Sequence, residues 1–394
     1  MYDMNMQERK VDEIIERRRP FHEEIQCKQK NLQQQIMALT ELKKQYLEIK
    51  QQGPQGMFSL IQGLSLTQLV DEMEAVNKEL NKPMRRFARQ TLNIGVIGYT
   101  GQGKSTLLQN LSGVGPEAIP TGSGEFCTGV RSVVRHNPDP NKVGGLISFY
   151  TQEELLHDVL ALYYQRLNLG NVPQTFDGFI SSPLPRLGEN GALSRAMYAR
   201  LQEYKDDASV YAKRLGAEDL PVPIKDVRKF VAQDSLDGRQ KYYDFMAVKE
   251  AVITTNFGQE GVRRVALVDM PGLGDTRVGD DYRLMQALGE EVDVVLFLVK
   301  PDKRAVLRDY DIRLYDQAYE SMGENIPIKD WLFMVLNYEA GGDKRRVCRD
   351  LQDIIEGKNS KHGTHTVEVV KCIVANCNDK AETAQVLTSV LEHR

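Results

Sequence analysis

The sequence predicts an α/β protein whose mostly parallel sheet is flanked by helices, with a helical neck or hairpin at the N-terminus and a helical insertion. Three observations lead there. From Leu92 onward, short apolar or β-branched runs alternate with helical stretches, the pattern of parallel strands joined by crossover helices. A glycine-rich turn, Gly98–Ser105, sits between the first of these runs and a helical one. Residues 1–88 are instead rich in Gln, Glu, Lys and Arg, with apolar residues at heptad spacing.

In chain order, the heptad starts at Val11 and places Ile14, Phe21, Ile25, Leu32, Leu39, Leu42, Tyr46 and Ile49 on its inner positions. Pro20 lacks the N–H a helix interior needs, so a kink or fresh start is expected there. Gln51-Gln52-Gly53-Pro54-Gln55-Gly56 ends this helix, and a second, about Ser65 to Leu80, precedes Pro83. Such a segment is either a hairpin packing on its own domain or a stalk awaiting partners. The expected central strands are Leu92–Ile97, Val265–Asp269, Val292–Val299, Trp331–Leu336 and Val367–Ala375, with two more at Ser132–Arg135 and Leu146–Tyr150. Strand signals lapse over about 151–241, where two helical runs, Glu153–Leu167 and Leu193–Leu215, flank a Pro/Gly-rich connection from Gly170 to Gly191. The domains are therefore read as a helical segment 1–88 and an α/β domain 89–394 carrying the insertion.

Gly98-Tyr99-Thr100-Gly101-Gln102-Gly103-Lys104-Ser105 matches GxxxxGK[ST], with Thr106 following in the helix. Its glycines let backbone N–H groups turn inward around phosphate oxygens, and the helix N-terminus adds partial positive charge. Lys104 is placed to reach the β- and γ-phosphates and the Ser105 hydroxyl to ligate Mg²⁺. In Asp269-Met270-Pro271-Gly272-Leu273-Gly274-Asp275, Asp269 ends an apolar strand and suits an aspartate acting on Mg²⁺ through water. Gly272 completes DxxG, whose backbone N–H can meet the γ-phosphate.

Pro120-Thr121-Gly122-Ser123-Gly124-Glu125-Phe126-Cys127-Thr128 resembles the first switch of dynamins, and its continuation Gly129-Val130-Arg131-Ser132-Val133-Val134 is also similar. The resemblance implies that Thr128 touches Mg²⁺ and positions the attacking water, Thr121 being the rival. Cys372-Ile373-Val374-Ala375-Asn376-Cys377-Asn378-Asp379 resembles the family's base-contacting segment, with Asn376 at its Asn. Leu273 stands where small GTPases carry glutamine, as in dynamins. The resemblance implies a GTPase using Mg²⁺, binding GTP and GDP, whose G domains dimerise across the nucleotide and move a helical neck. It further implies a stalk beyond Arg394, able to meet a membrane peripherally or a helical partner.

Two positions depart from the family. Thr100-Gly101 replaces its Gln-Ser, which favours a nucleotide-gated switch with little hydrolysis as one alternative. The guanine-reading [NT]KxD segment reads Asn337-Tyr338-Glu339-Ala340, so Asn337 fills the first position, and Glu339 is the nearest carboxylate. A coiled-coil ATPase is the other alternative. Arg304, beside Asp302 and Lys303, is a candidate arginine supplied to a partner.

Composition narrows the classes. Apolar residues at 41% and charged residues at 27% are ordinary globular values, and a net charge of −4 gives no basic footprint for nucleic acid. The five scattered cysteines form no CxxC pair, so reduced thiols in a cytoplasmic setting are expected. The polar start has no signal-peptide core, and Val294–Val299 is too short to span a bilayer. His362 and His365 read as a solvated loop, and Arg17-Arg18-Arg19 as a helix face.

Overall fold

The computed structural model describes residues 4–52, 65–120, 130–188, 191–257, 263–270, 288, 291–321, 326–358 and 367–393. The chain divides into two compact units, one of residues 12–90 and one of residues 1–11 with 91–394.

In the smaller unit, α1 (Met4–Gln52) and α2 (Leu66–Ala88) form an antiparallel pair. Phe21 stacks on Phe87 with ring centroids 5.5 Å apart, and Gln29 Nε2 donates to the Asn77 carbonyl and to Asn81 Oδ1. Both prolines lie inside these helices: Pro20 starts no new helix in α1, and Pro83 does not end α2, which continues to Ala88. Each proline removes one main-chain hydrogen bond, at about 3 kcal/mol, from a helix with many others. Residues 21–22 pack on residues 84–87, so the two prolines fall where the helices hold each other. The heptad reading holds only in part, since Val11 is buried while Phe21 and Leu42 are exposed, and Ile15, outside the set, is buried. Two helices leave part of any wide apolar stripe uncovered.

The larger unit is built on a nine-stranded sheet in the order β4-β3-β5-β2-β6-β1-β7-β8-β9. The strands are β1 (Leu92–Ile97), β2 (Ser132–His136), β3 (Gly144–Phe149), β4 (Leu220–Val222), β5 (Val248–Thr255), β6 (Val265–Asp269), β7 (Val294–Val299), β8 (Leu332–Asn337) and β9 (Lys371–Ala375). From β6 through β9 all pairings are parallel. Strands β1, β6, β7 and β8 are buried at every residue, which is why their sequences are continuous apolar runs and not alternating ones. On the other side β2 turns antiparallel to β6, and β3 is antiparallel to both β4 and β5.

Two of these strands were not expected. β5 lies between β3 and β2, and its run Val-Lys-Glu-Ala-Val-Ile-Thr-Thr keeps polar residues because one face is only half covered. β4 lies inside 151–241, so that segment is not strand-free.

The remaining elements are helices. α3 (Lys104–Ser112) follows the glycine turn, and α4 (Gln152–Leu155) runs through a π-helical turn at Leu156–Leu160 into α5 (Ala161–Arg166). α6 (Phe176–Ser181) occupies the supposed connection, ahead of α7 (Ala192–Asp206), α8 (Ala208–Tyr211) and α9 (Ile224–Val231). Tyr163, Phe179, Tyr204 and Tyr211 are fully buried among these helices and give the segment its own aromatic core. α10 (Asp309–Ser321) and α11 (Lys344–Ile355) complete the crossovers, and α12 (Lys380–Glu392) follows β9. Among the described residues no helix is long and apolar enough to cross a membrane.

Candidate functional site

The site gathers at the carboxyl ends of the parallel strands, where open α/β sheets bind their ligands. The turn from β1 into α3 needs glycine for steric reasons. At Gly98, φ is 151° and a Cβ would lie 2.7 Å from the Leu298 carbonyl oxygen on the adjacent strand. Gly103 takes a left-handed φ of 101° at the N-cap of α3, and no side chain caps the first turn. Gly103 offers no side-chain oxygen to the N–H groups that open α3, and such a helix N-terminus suits an anion.

Lys104 is buried, and its Nζ donates to the carbonyls of Gly98 at 2.9 Å and Tyr99 at 3.2 Å. The ammonium thus lies across the concave side of its own loop. Asp269 ends β6, in register with Val96 of β1 and Ser132 of β2. Its carboxylate is fully buried, and neither oxygen has a hydrogen-bond partner among the described residues. Burial pushes its pKa up to about 6, against the pull of the Lys104 charge. A buried carboxylate left unpaired beside a phosphate loop fits a divalent cation, and a serine hydroxyl one residue past the lysine is the right chemistry for a second ligand. No group of three or more His, Cys, Asp or Glu side chains that could hold a metal occurs among the described residues. That donor set is foreign to zinc but ordinary for Mg²⁺, which keeps waters and phosphate oxygens as ligands.

The neighbouring strand ends hold the loop from behind. Gln102 is buried, and its side-chain carbonyl accepts the Lys300 backbone N–H just past β7. Its main-chain carbonyl accepts Asn337 Nδ2 at 2.7 Å, and Asn337 Oδ1 accepts the Cys377 N–H at 3.0 Å. Asn110 on α3 donates to the Cys377 carbonyl at 2.7 Å. Asn337 therefore has both ends of its amide committed to protein, tying the phosphate loop to the turn after β9. Asn376, in that turn, donates its N–H to Glu382 Oε2, while its side-chain oxygen accepts from Asn378 N–H. Tyr338 bonds the other Glu382 oxygen at 2.6 Å. Glu339 is gripped by Lys300 and Lys344, which hold its carboxyl well below the usual range, at about 2.

The sequence-derived set Gly98, Tyr99, Thr100, Gly101, Gln102, Gly103, Lys104, Ser105 and Thr106 thus forms one turn, with Asp269 and Asn337 at adjoining strand ends. Thr128, its rival Thr121, Gly272 and Leu273 lie outside the described residues, as do Cys127, His362 and His365. Arg304 is exposed, its backbone N–H bonded to Asp302. Sequence reasoning missed Lys300, Cys377 and Tyr310, whose ring lies 4.5 Å from that of Tyr99. The available signal was position alone, since each directly follows a strand or flanks a helix start. The buried thiols are inert: burial pushes Cys348 up to about 11 and Cys377 up to about 12.

A lysine curled over a glycine turn, with an unsatisfied aspartate at the next strand end, defines a P-loop nucleotide-binding fold. The sequence profile of the dynamin family matches residues 94–311, which is more than half of the chain, and the chain belongs to that family. It matches no curated protein. It is similar to two solved structures, each described as part of an oligomerised bacterial dynamin pair in long-range sensing and tethering of membranes. One is 14% identical with a TM-score of 0.45, covering 93% of this chain and 51% of its own. The other is 15% identical with a TM-score of 0.45, covering 92% and 51%. The chain therefore spans about half the length of these structures.

Proposed function

We propose that the chain binds GTP with Mg²⁺ and hydrolyses its γ-phosphate. The observation that carries this reading is Asp269, a buried carboxylate beside Lys104 with no hydrogen-bond partner among the described residues. Family membership supports GTP as the nucleotide. The Lys104 ammonium exchanges its loop carbonyls for β- and γ-phosphate oxygens, and the open N–H groups of α3 hold the same phosphates. Ser105 and Asp269 would hold Mg²⁺, and the cation would supply charge neutralisation at the phosphates. Thr128 orients the attacking water, and the Gly272 N–H registers the γ-phosphate. Asn337 and Asn376 serve the base side, Asn337 by fixing the loop that the base rests against.

The same reading assigns residues 1–88 to a helical neck and 89–394 to the G domain. G domains pair across the nucleotide, and the neck converts that pairing into movement. The setting is the cytoplasm, with any membrane contact peripheral. A nucleotide-gated switch with little turnover is the second reading, favoured by Thr100-Gly101 in the loop.

Titration calorimetry of GTP, GDP and ATP with Mg²⁺, paired with phosphate release, tests the proposal. GTP-selective binding and multiple turnover, both lost in Lys104→Ala, are expected. Equal affinity for ATP sinks the GTPase reading, and GTP binding with turnover no faster than Lys104→Ala leaves the switch.

A further inference from the structure

The segment 151–241 is bonded to the residues that link the phosphate helix to the loop bearing Thr128. Its last helix, α9, carries Arg228, which is 8% exposed. The guanidinium donates from Nη1 to the Pro116 carbonyl at 3.0 Å and from Nε to the Asp234 carbonyl at 2.8 Å. The Arg228 backbone N–H donates to the Glu117 carbonyl at 3.1 Å. One residue therefore holds two successive carbonyls of the 113–120 segment.

The other side of that segment is held by the phosphate helix. Gln109, five residues after Lys104 on α3, donates to the Ile119 carbonyl at 2.6 Å. Inside the segment, the N–H groups of Ala118 and Ile119 both bond the Gly115 carbonyl, and both residues are buried. Asp234 opens a tight hairpin, bridged by the Asp234–Lys241 pair and by Ser235 N–H to the Gln240 carbonyl. Gln233 at its base accepts from Arg200 on α7 at 3.2 Å. A continuous set of hydrogen bonds thus runs from α7 through the hairpin and Arg228 to Pro116, and from Ile119 to α3.

Burying a guanidinium costs several kcal/mol, so apolar filling would stabilise this spot more cheaply. What the guanidinium adds is direction, since its planar fork fixes two carbonyls from different parts of the chain. We infer that Arg228 is a positioning residue for the phosphoryl site: through it, the helical insertion sets the path of residues 113–120 leading from α3 to the loop of Thr128. This inference rests on the GTP hydrolysis proposed above. The insertion then acts as a built-in input to the nucleotide site, because whatever displaces its hairpin displaces Pro116.

The test compares Arg228→Met and Arg228→Lys with the parent chain. Hydrogen exchange of the nucleotide-free chain reads the segment directly: Arg228→Met is expected to speed exchange of the Ala118 and Ile119 amides by about tenfold or more. In phosphate release, kcat is expected to fall about tenfold to a hundredfold, while GDP affinity by calorimetry stays within about threefold. Arg228→Lys, whose ammonium can reach one carbonyl, is expected to fold as the parent does and to fall between. Unchanged exchange in both variants overturns the inference. So does a loss of kcat, GDP affinity and melting temperature together in Arg228→Lys, which marks a residue needed only for folding. A parent chain without turnover refutes the hydrolysis reading, and the exchange data still decide whether Arg228 sets this segment.

Discussion

Replacing Asp269 by Asn is expected to make the nucleotide-free protein more stable at neutral pH while removing its response to Mg²⁺-nucleotide. The carboxyl pKa rises from 3.8 to about 6 because the group is fully buried, against the pull of the Lys104 charge. The folded state therefore binds this proton more tightly than the unfolded chain does. Stability accordingly falls as pH rises from about 4 to about 6, and the whole cost is present above that. A shift of that size corresponds to about 3 kcal/mol at pH 7.5 and roughly half of that at pH 5. An asparagine removes the charge but buries an amide whose donors find no ready acceptor, at about 1–2 kcal/mol. The net expectation is a gain of about 1–2 kcal/mol at pH 7.5 that vanishes near pH 5. Asp311, a second buried carboxyl pushed up to about 6, titrates in both proteins, so the difference between them isolates Asp269. Thermal melts at the two pH values read this difference. With saturating Mg²⁺ and GTP the order should invert, since only the parent gains stability from a ligand that needs the carboxylate. An Asp269→Asn protein less stable than the parent at pH 7.5 without ligand would show that the carboxylate is satisfied, and the cation-site argument would fall.

Three further outcomes concern the residues around the loop. Asn337→Ala leaves the Gln102 carbonyl and the Cys377 N–H without their partner in a buried place, and should cost about 2–4 kcal/mol in denaturant melts. A loss below about 0.5 kcal/mol would show that water replaces the amide. Glu339→Gln should change melting little, because the carboxylate is 46% exposed and its ion pairs are screened. What small pH dependence Glu339 gives is stability present above its unfolded value and lost as pH falls toward about 2. If Glu339 leaves its lysines to accept the guanine N–H groups, Glu339→Gln lowers the GTP-over-ATP preference measured by calorimetry, and an unchanged preference excludes that role. Gly98→Ala should abolish nucleotide binding and lower the melting temperature, since the Cβ collides with the Leu298 carbonyl at an unfavourable φ; a variant that binds as the parent does would refute the need for that close approach.

Much of this architecture was legible because the central strands are buried on both faces and so appear as uninterrupted apolar runs. β5 escaped because Lys249 and Glu250 break its apolar run on the half-covered side, where Lys249 pairs with Glu154 at 2.7 Å. Three-residue β4 is too short for any periodicity to show. The prolines misled for a different reason. Local propensity ends a helix at Pro20 or Pro83, but the packing of α1 against α2 spans both positions and outweighs one lost hydrogen bond each. At the site, the motif residues were readable from spacing. Their supports were not, because Lys300 and Cys377 act through their backbone N–H groups and the Arg228 guanidinium bonds backbone carbonyls, pairings that leave no trace in side-chain pattern.

Those supports bear on how the phosphate loop works. A loop with positive φ at Gly98, Gly101 and Gly103 has lost much conformational entropy and cannot hold its shape by local preference. Here the shape is imposed from outside, by the strand-end residues Lys300 and Asn337 acting on Gln102 and by Asn337 and Asn110 acting on the turn at Cys377. The loop's shape is thus set by its neighbours, and the Lys104 ammonium bonds two of its carbonyls. Binding then spends little on ordering, which favours affinity for phosphates of any nucleotide. Selection among nucleotides must consequently arise at the base side, where the family's lysine and aspartate are replaced by Tyr338 and Ala340. There Tyr338 is bonded to Glu382, and Glu339 to two lysines. The GTP selectivity proposed above must therefore rest on base contacts other than that lysine and aspartate, and competition of ATP against bound GDP measures it directly: ATP competing as well as GTP refutes it.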